Sequence, residues 1–495
     1  MKNFYIIFLM AFVFIAKTNM AQSANGSVYA DTNGLYIIKV QGSHYERGYA
    51  QGELLGSRIT DIFQNYVMPQ FGNMGTYNQI KGIVAAGNLF AIDSLFIVEA
   101  KALINGMNSV NTNLLNLEYS DILLANSMLD IKSIMQSKAG LECSSLMSWG
   151  SATSADIDLG GKSVISRHLD WTVSAVLIRN QVMVIHVPSE VNEQPWAEVG
   201  FAGMISVLSG FNANIGVFQH MMSDDNSHGT LSGNYEPIWF TLRKAIEQAD
   251  PNQDGANNVN DVKHFINMRS QGYADGYIIS ALARSTEMQD SLIAMVAEIA
   301  AAAPYITYRS NSFADSIPSD NLYTANNQIA RNNSMNFCSR YNGIRNNIAN
   351  GTTMGLVANR HLMANYSHLS ANYQFMTFAP ELDLFRISIR ETVPAYQSPY
   401  VDLTPSVMFQ ENVSIRPQKA EWTKLQVFPN PAHKSISFVI DWNLFYYQVF
   451  DGSGREVLNG ETSSKTINIE MLSKGTYYLL LRNNAKTLRT PFIVY

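Results

Sequence analysis

The chain predicts an α+β protein in which helical and strand layers stack within one large domain, followed by a small, separate all-β module. Two observations predict it. After residue 35 the sequence reads as helices, then as short strands from Cys143, then as helices and strands again, an order that suits stacked layers. From Leu425 to Tyr495 apolar and polar residues alternate between turn signals, the pattern of a self-contained β unit.

Met1 and Lys2 precede an apolar run from Phe4 to Ala16, with small or polar residues following through Ala21 and Gln22. The run is too short to cross a bilayer and has the form of an export signal, so residues 1–21 are expected to be removed. Residues 22–142 are expected to form a helical pro-segment. Within it Gly42, Gly48, Gly52 and Gly56 recur along a helix with Tyr45, Tyr49 and Leu55. That spacing suits close helix packing; a phosphate loop needs a preceding strand and another order of glycines. Ser120 and Asp121 can cap an apolar helix from Ile122 to Met135. Strands are expected at 143–149, 163–166, 181–187, 197–200 and 205–210, with Gly160 and Gly161 marking the first reversal. A helical middle from Trp239 to Ala303 and returning strands at 373–378 and 384–389 complete a main domain of residues 143–402. Residues 403–424 read as a polar, proline-containing linker, and 425–495 as the β module, with turns at Asp451–Gly454 and Ser473–Gly475.

At 495 residues the chain is too long for one ordinary core. Apolar residues at 46% and charged residues at 15% describe a globular protein. The net charge of −6 and the lack of any Lys/Arg run argue against nucleic acid as a partner, which needs a concentrated basic face. No later apolar run reaches the length of a membrane-spanning helix. Two cysteines, Cys143 and Cys338, are few for an exported protein built on disulfides, and Cys143 is read as a free thiol.

Cys143 opens a Cys-Ser-Ser stretch, and Arg167, His168, Leu169, Asp170 and Trp171 follow on the next expected strand. A thiol attacks a carbonyl at neutral pH only if something takes its proton and something else steadies the resulting charges. Arg167 and Asp170 could do the second. The first could fall to the cysteine's own nitrogen, if the peptide bond from Glu142 to Cys143 is cut to free an α-amine. Strand alternation turns His168 away from Arg167 and leaves it out of the site.

Several separated motifs carry a resemblance: Gly42-Ser-His-Tyr-Glu-Arg-Gly-Tyr49, Asp121-Ile-Leu-Leu-Ala-Asn126, Cys143-Ser-Ser145, Ser166-Arg-His-Leu-Asp-Trp171, Gly210-Phe-Asn212, and Ala325-Asn326-Asn327 ahead of Ser339-Arg340. Together they resemble the acyl-coenzyme A:6-aminopenicillanic acid acyltransferase family of N-terminal nucleophile hydrolases, related to choloylglycine hydrolases and acid ceramidase. The resemblance implies an αββα four-layer domain and self-cleavage between Glu142 and Cys143. It also implies that Asp170 steadies the new α-amine while Arg167 lowers the thiol pKa or grips the substrate. Asn212 is implied as first oxyanion donor and Asn326 as second, with Asn214 able to replace Asn212 because the stretch is one residue longer than usual; Arg340 would support the site. Glu142 and His168 depart from the family, which often has a small residue and an Asn there. The implied substrate is a linear amide of an N-acylated small molecule, hydrolysed or passed on by acyl transfer, with no cofactor required. Asn327, Asn332 and Asn333 read as turn residues.

Phe428-Pro-Asn-Pro431, Tyr447-Gln-Val-Phe-Asp-Gly452 and Lys474-Gly-Thr-Tyr-Tyr-Leu-Leu-Leu481 resemble the C-terminal sorting domain of the type IX secretion route of Bacteroidetes. That implies handling by the type IX machinery and release outside the cell or display on its surface.

Asp250, Asn252, Asp254, Gly255, Asn258 and Asp261 follow the spacing of a calcium loop, so a structural calcium ion is one expectation; Asn/Asp turns capping the helix at Val262 are the other. Two rival functions are a papain-like thiol protease with His220 or His228 as base, and a surface binding protein without chemistry.

Overall fold

A computed structural model of the protein describes residues 22–23, 25–136, 141–222, 228–231, 233–270, 272–285, 292–310, 317–331, 338–410, 425–440, 442, 445–451, 455–482 and 487–495. The expected signal segment, Asn332, Asn333 and most of the expected linker lie outside them. The chain divides into two units, Met1–Glu411 and Asn412–Tyr495.

The first unit opens with strands β1 (Gln22–Ser23), β2 (Gly26–Thr32) and β3 (Leu35–Gly42). These lie where a helical segment was expected. Asn33 and Gly34 join β2 to β3 with φ of 47° and 76°, the left-handed pair that a two-residue hairpin requires. Helices α1 (His44–Ile62), α2 (Met74–Ala85), α3 (Ser94–Ser109), α4 (Tyr119–Asn126) and α5 (Met128–Ile134) follow. The single helix expected from Ile122 is thus broken at Ser127, and its cap is Glu118, whose backbone N–H donates to Asp121 at 2.7 Å. The glycines of α1 do serve close packing. A Cβ on Gly52 would lie 2.0 Å from the Leu103 carbonyl oxygen of α3, and one on Gly106 2.0 Å from that of Tyr49.

Next come β4 (Leu141–Ser148), α6 (Gly150–Thr153), β5 (Val164–Trp171), α7 (Ala175–Arg179), β6 (Gln181–Pro188), β7 (Trp196–Phe201), β8 (Ser209–Asn212) and β9 (Ile215–Met221). The expected helical middle is helical only in α8 (Ile238–Glu247) and α9 (Val259–Asn267), and gives way to β10 (Tyr277–Ala283), β11 (Ala294–Ile299) and β12 (Ile306–Ser310). Both β10 and β11 are buried along their whole length, and such continuous apolar runs fit a buried strand as well as a helix. The unit ends with β13 (Asn321–Thr324), α10 (Ser339–Asn347), α11 (Leu356–Tyr366), β14 (Asn372–Ala379), β15 (Leu384–Ile389), β16 (Val401–Leu403) and α12 (Pro405–Met408).

These strands form a ten-stranded sheet, β1-β2-β3-β6-β7-β8-β9-β10-β11-β12, and a six-stranded sheet, β13-β4-β5-β14-β15-β16. Every pairing is antiparallel except β3 with β6. Across the space between them Phe211 of β8 stacks on Phe385 of β15 at 4.1 Å, and Ser145 of β4 meets His220 of β9 at 3.1 Å. Helices α1, α8 and α9 pack on the larger sheet, α10 and α11 on the smaller.

The second unit has a three-stranded sheet (Val427–Phe428, Ser435–Phe438, Thr466–Asn468) and a four-stranded one (Phe445–Asp451, Glu456–Thr462, Gly475–Arg482, Thr487–Val494). Ile436 and Phe438 from the first share one core with Val449, Leu479 and Phe492 from the second. Of the expected turn at Asp451–Gly454, only Asp451 is among the described residues.

Candidate active site

Cys143 lies on β4 directly opposite Leu169 of β5, and Ser145 directly opposite Arg167. Side chains opposite one another project from the same face of a sheet, so the thiol and the guanidinium share one face. Arg167 Nη2 donates to Cys143 Sγ at 3.2 Å and to the Gln219 carbonyl of β9 at 3.0 Å. Both residues are wholly buried. Burial pushes the thiol up to about 11; Arg167 pulls it down and Asp170 pushes it up. In the uncut chain the sulfur is therefore a protonated, weak nucleophile near neutral pH.

The backbone of Cys143 is gripped separately. Its N–H donates to Asn326 Oδ1 at 3.1 Å, and its carbonyl accepts from Arg340 Nη1 at 3.2 Å. Arg340 Nη2 also donates to Asn326 Oδ1 at 2.6 Å and to Glu142 Oε2 at 3.3 Å, while Nη1 lies 3.6 Å from Asp170 Oδ2. The Asn326 amide nitrogen donates to the Met221 carbonyl at 2.6 Å. One residue before Cys143, Glu142 keeps 55% of its side chain in solvent.

Asp170 falls on the opposite face of β5 from Arg167, as three steps along a strand require. Its Oδ1 accepts from Asn372 Nδ2 at 2.9 Å. Burial raises its carboxyl to about 7 against the pull of Arg340. Asn372 sits at an irregularity in the β5–β14 pairing and was not singled out in the sequence, where it is one more Asn beginning a strand. The Gln219 contact is equally silent there, because any residue supplies a backbone carbonyl.

Asn212 does not join this cluster. Its Nδ2 donates to the Ile246 carbonyl, and its Oδ1 accepts from the N–H groups of Asn214 and Ile215, so the amide is spent closing the β8–β9 turn. Asn214 meets Arg284 through backbone atoms at that turn. His168 packs edge-on against Phe375 on the face away from Arg167. His220 of β9 faces β4, its Nε2 between Ser145 and Ser280 at 3.1 and 3.0 Å, and burial holds it neutral. His228 reaches Ser133 at 3.3 Å.

In the 250–261 loop the side-chain oxygens serve the loop itself. Asp250 accepts from the N–H groups of Asp254 and Gly255, Asn252 and Asp254 accept from the N–H groups two residues on, and Asn258 with Asp261 forms the capping box of α9. His44, Glu193 and Glu247 hold potential metal ligands within 4.8 Å of one another. The chemistry there is that of an ion-pair network: Arg47 holds Glu193 at 2.8 Å, Arg243 holds Glu247 at 2.9 Å, and His44 bridges Glu99 and Glu193.

Among curated proteins, "Protein dcd1B" of Dictyostelium discoideum is 24% identical over 269 residues, 52% of this chain and 51% of that protein. "Protein dcd1A" of the same organism is 24% identical over 266 residues, 48% and 56% of the two chains. The chain thus spans about half the length of the curated relatives it matches. A Caenorhabditis elegans N-acylethanolamine-hydrolyzing acid amidase ortholog aligns with 53% of this chain and 100% of its own, at 13% identity and a TM-score of 0.32, too loose a superposition to bear on fold or activity. No helix among the described residues is long and apolar enough to cross a membrane. The matched family at the other end settles the destination: residues 426–495 are a secretion system C-terminal sorting domain, and the protein is exported by the type IX route to the cell surface or beyond.

Proposed function

We propose that the protein is an exported cysteine hydrolase of the N-terminal nucleophile kind, with an αββα catalytic domain. It cuts itself between Glu142 and Cys143 and then hydrolyses the linear amide of an N-acylated small molecule. One observation carries the reading: the sulfur, nitrogen and carbonyl oxygen of Cys143 are each held by a different buried side chain, Arg167, Asn326 and Arg340.

In the first reaction Sγ attacks the Glu142 carbonyl carbon, the C–N bond breaks, and the nitrogen of Cys143 leaves as a free α-amine. The resulting thioester is hydrolysed by water to a Glu142 carboxylate and a free thiol. The exposed side of the bond, at Glu142, is where water has access.

The freed amine changes the chemistry. Its ordinary pKa of about 7.7–8.0 leaves a neutral fraction at pH 7 that can take the thiol proton. The thiolate attacks the substrate's acyl carbon, the amine product leaves with a proton, and water releases the acid; an acceptor amine in place of water gives acyl transfer. Asn326 and Arg340 hold the new terminus, Arg167 steadies the thiolate, and the Asn326 amide nitrogen is the donor for the oxyanion, a role worth about 2.7–4 kcal/mol in acyl-transfer enzymes. The test is N-terminal sequencing of purified active protein together with mass analysis after exposure to N-acyl amides. A second terminus at Cys143 and an acyl adduct on it are expected; activity in a chain still joined at Glu142 and Cys143 would overturn the proposal.

A further inference from the structure

A small, partly open apolar cavity of about 40 Å³ is walled by Phe63, Tyr66, Trp171, Phe201, Met204 and Trp239 among others. No charged side chain lines it, so it suits a neutral, apolar group. Its wall residue Trp171 belongs to the strand that pairs with the Cys143 strand. Trp171 ends β5 on the face shared by Arg167 and Leu169, and Leu169 is the residue opposite Cys143. The rim is fixed by Asn126, whose amide ties α4 to the Gly203 carbonyl, the Ile205 N–H and the Ser206 hydroxyl.

Trp239 links this cavity to the thiol. Its indole Nε1 donates to Gln219 Oε1 at 3.2 Å; the Gln219 backbone carbonyl accepts from Arg167 Nη2 at 3.0 Å; and the same Nη2 donates to Cys143 Sγ at 3.2 Å. One residue thus forms part of the wall and also holds the support of the thiol's guanidinium partner.

We infer that Trp239 is a specificity-determining residue: the apolar acyl group of the substrate fills this cavity against it, and through Gln219 that filling sets the orientation of Arg167 on Cys143. The inference rests on the reading of Cys143 as the acyl-accepting nucleophile. It assigns the cavity to the acyl half of the amide, because the walls are mostly apolar side chains and carry no charge to pair with an amine.

The test uses the purified full chain and straight-chain carboxylic acids of increasing length, titrated calorimetrically, with the pH profile of Cys143 alkylation by iodoacetamide measured with and without the acid. Affinity is expected to rise roughly 3–4-fold per methylene and then stop once the cavity is full. In the wild type a bound acid shifts the alkylation profile. Trp239→Phe keeps an aromatic wall but not the donor, so it retains the rise in affinity per methylene and loses the shift. Trp239→Ala enlarges the cavity and moves the stopping point to longer acids. An unchanged stopping point in Trp239→Ala, or a wild-type shift in Trp239→Phe, overturns the inference. Neither measurement needs turnover. Failure of the chain to cut at Cys143, read by mass on the same sample, would count against the hydrolase reading and leave these outcomes interpretable.

Discussion

The amide oxygen of Asn326 accepts the backbone N–H of Cys143 at 3.1 Å while also accepting from Arg340. The side chain of Asn326 therefore holds the nitrogen on which the proposed chemistry turns, before that nitrogen is a terminus. Asn326→Ala removes both this acceptor and an amide donor. The expected result is self-cleavage slowed about 100-fold or more, followed as the disappearance of the uncut chain over time.

Cys143→Ala is expected to leave a single chain across Glu142 and Cys143, with no acyl adduct and no hydrolysis above background. Cys143 is fully buried, so a second measurement guards against misfolding. The urea midpoint of the variant should stay close to that of freshly made uncut wild type, since only one sulfur is lost. Hydrolysis by the alanine variant would remove the thiol from the mechanism.

Asp170 makes a pH prediction whose sign can be worked out. Burial raises its folded pKa to about 7 from an ordinary 3.8, with Arg340 opposing. Well below pH 3.8 both folded and unfolded states hold the proton. Between pH 4 and 7 the unfolded chain loses it first, so stability falls with rising pH, by on the order of 4 kcal/mol at most, and levels off above 7. Asp170→Asn cannot titrate. In a Cys143→Ala background, which keeps the chain uncut, the stability of Asp170→Asn relative to its parent should rise between pH 4 and 7 in denaturant titrations and then stay flat.

The Cys143 strand and its neighbour were legible from two short runs set apart by the Gly160-Gly161 turn signal, although β5 is buried along its whole length and shows no alternation. The family resemblance pointed to Asn326 and Arg340, and both lie within hydrogen-bonding distance of Cys143. Asn212, pointed to in the same way, closes a turn instead: an Asn two residues before an N–H reads alike whether it faces a site or its own backbone. Asn372 and the Gln219 carbonyl carry no sequence signal, since each acts through a position created by strand pairing. In the fold, the Asn33-Gly34 hairpin was passed over in favour of a helical segment, and β10 and β11 were not separable from helix. Their residues are buried on both faces, which erases the period-two alternation that identifies a strand.

Deleting residues 426–495 removes the sorting domain and leaves the larger unit, which has its own core, intact. The expected outcome is a protein that folds and binds iodoacetamide at Cys143 as before but is no longer recovered from the cell surface or the medium. Cell fractionation with an antibody against the larger unit reads this directly, and undiminished export without the tail would contradict it.

Gly52 and Gly82 test the packing of the helices with opposite expected signs. Both are in helix interiors, where Gly costs about 0.8–1.0 kcal/mol relative to Ala. At Gly82 of α2 nothing lies within 4 Å of an added Cβ, so Gly82→Ala should stabilise by about that amount. At Gly52 of α1 the same methyl would lie 2.0 Å from the Leu103 carbonyl oxygen and 2.9 Å from the Met107 nitrogen, backbone atoms that cannot turn aside. The two helices would have to separate, at an overpacking cost of roughly 1–3 kcal/mol or more that exceeds the propensity gain. Gly52→Ala should therefore lower the urea midpoint of the larger unit while Gly82→Ala raises it, and α1 with its partner should lose amide-exchange protection first. A stabilised Gly52→Ala would mean that α1 and α3 do not approach each other as closely as this geometry requires.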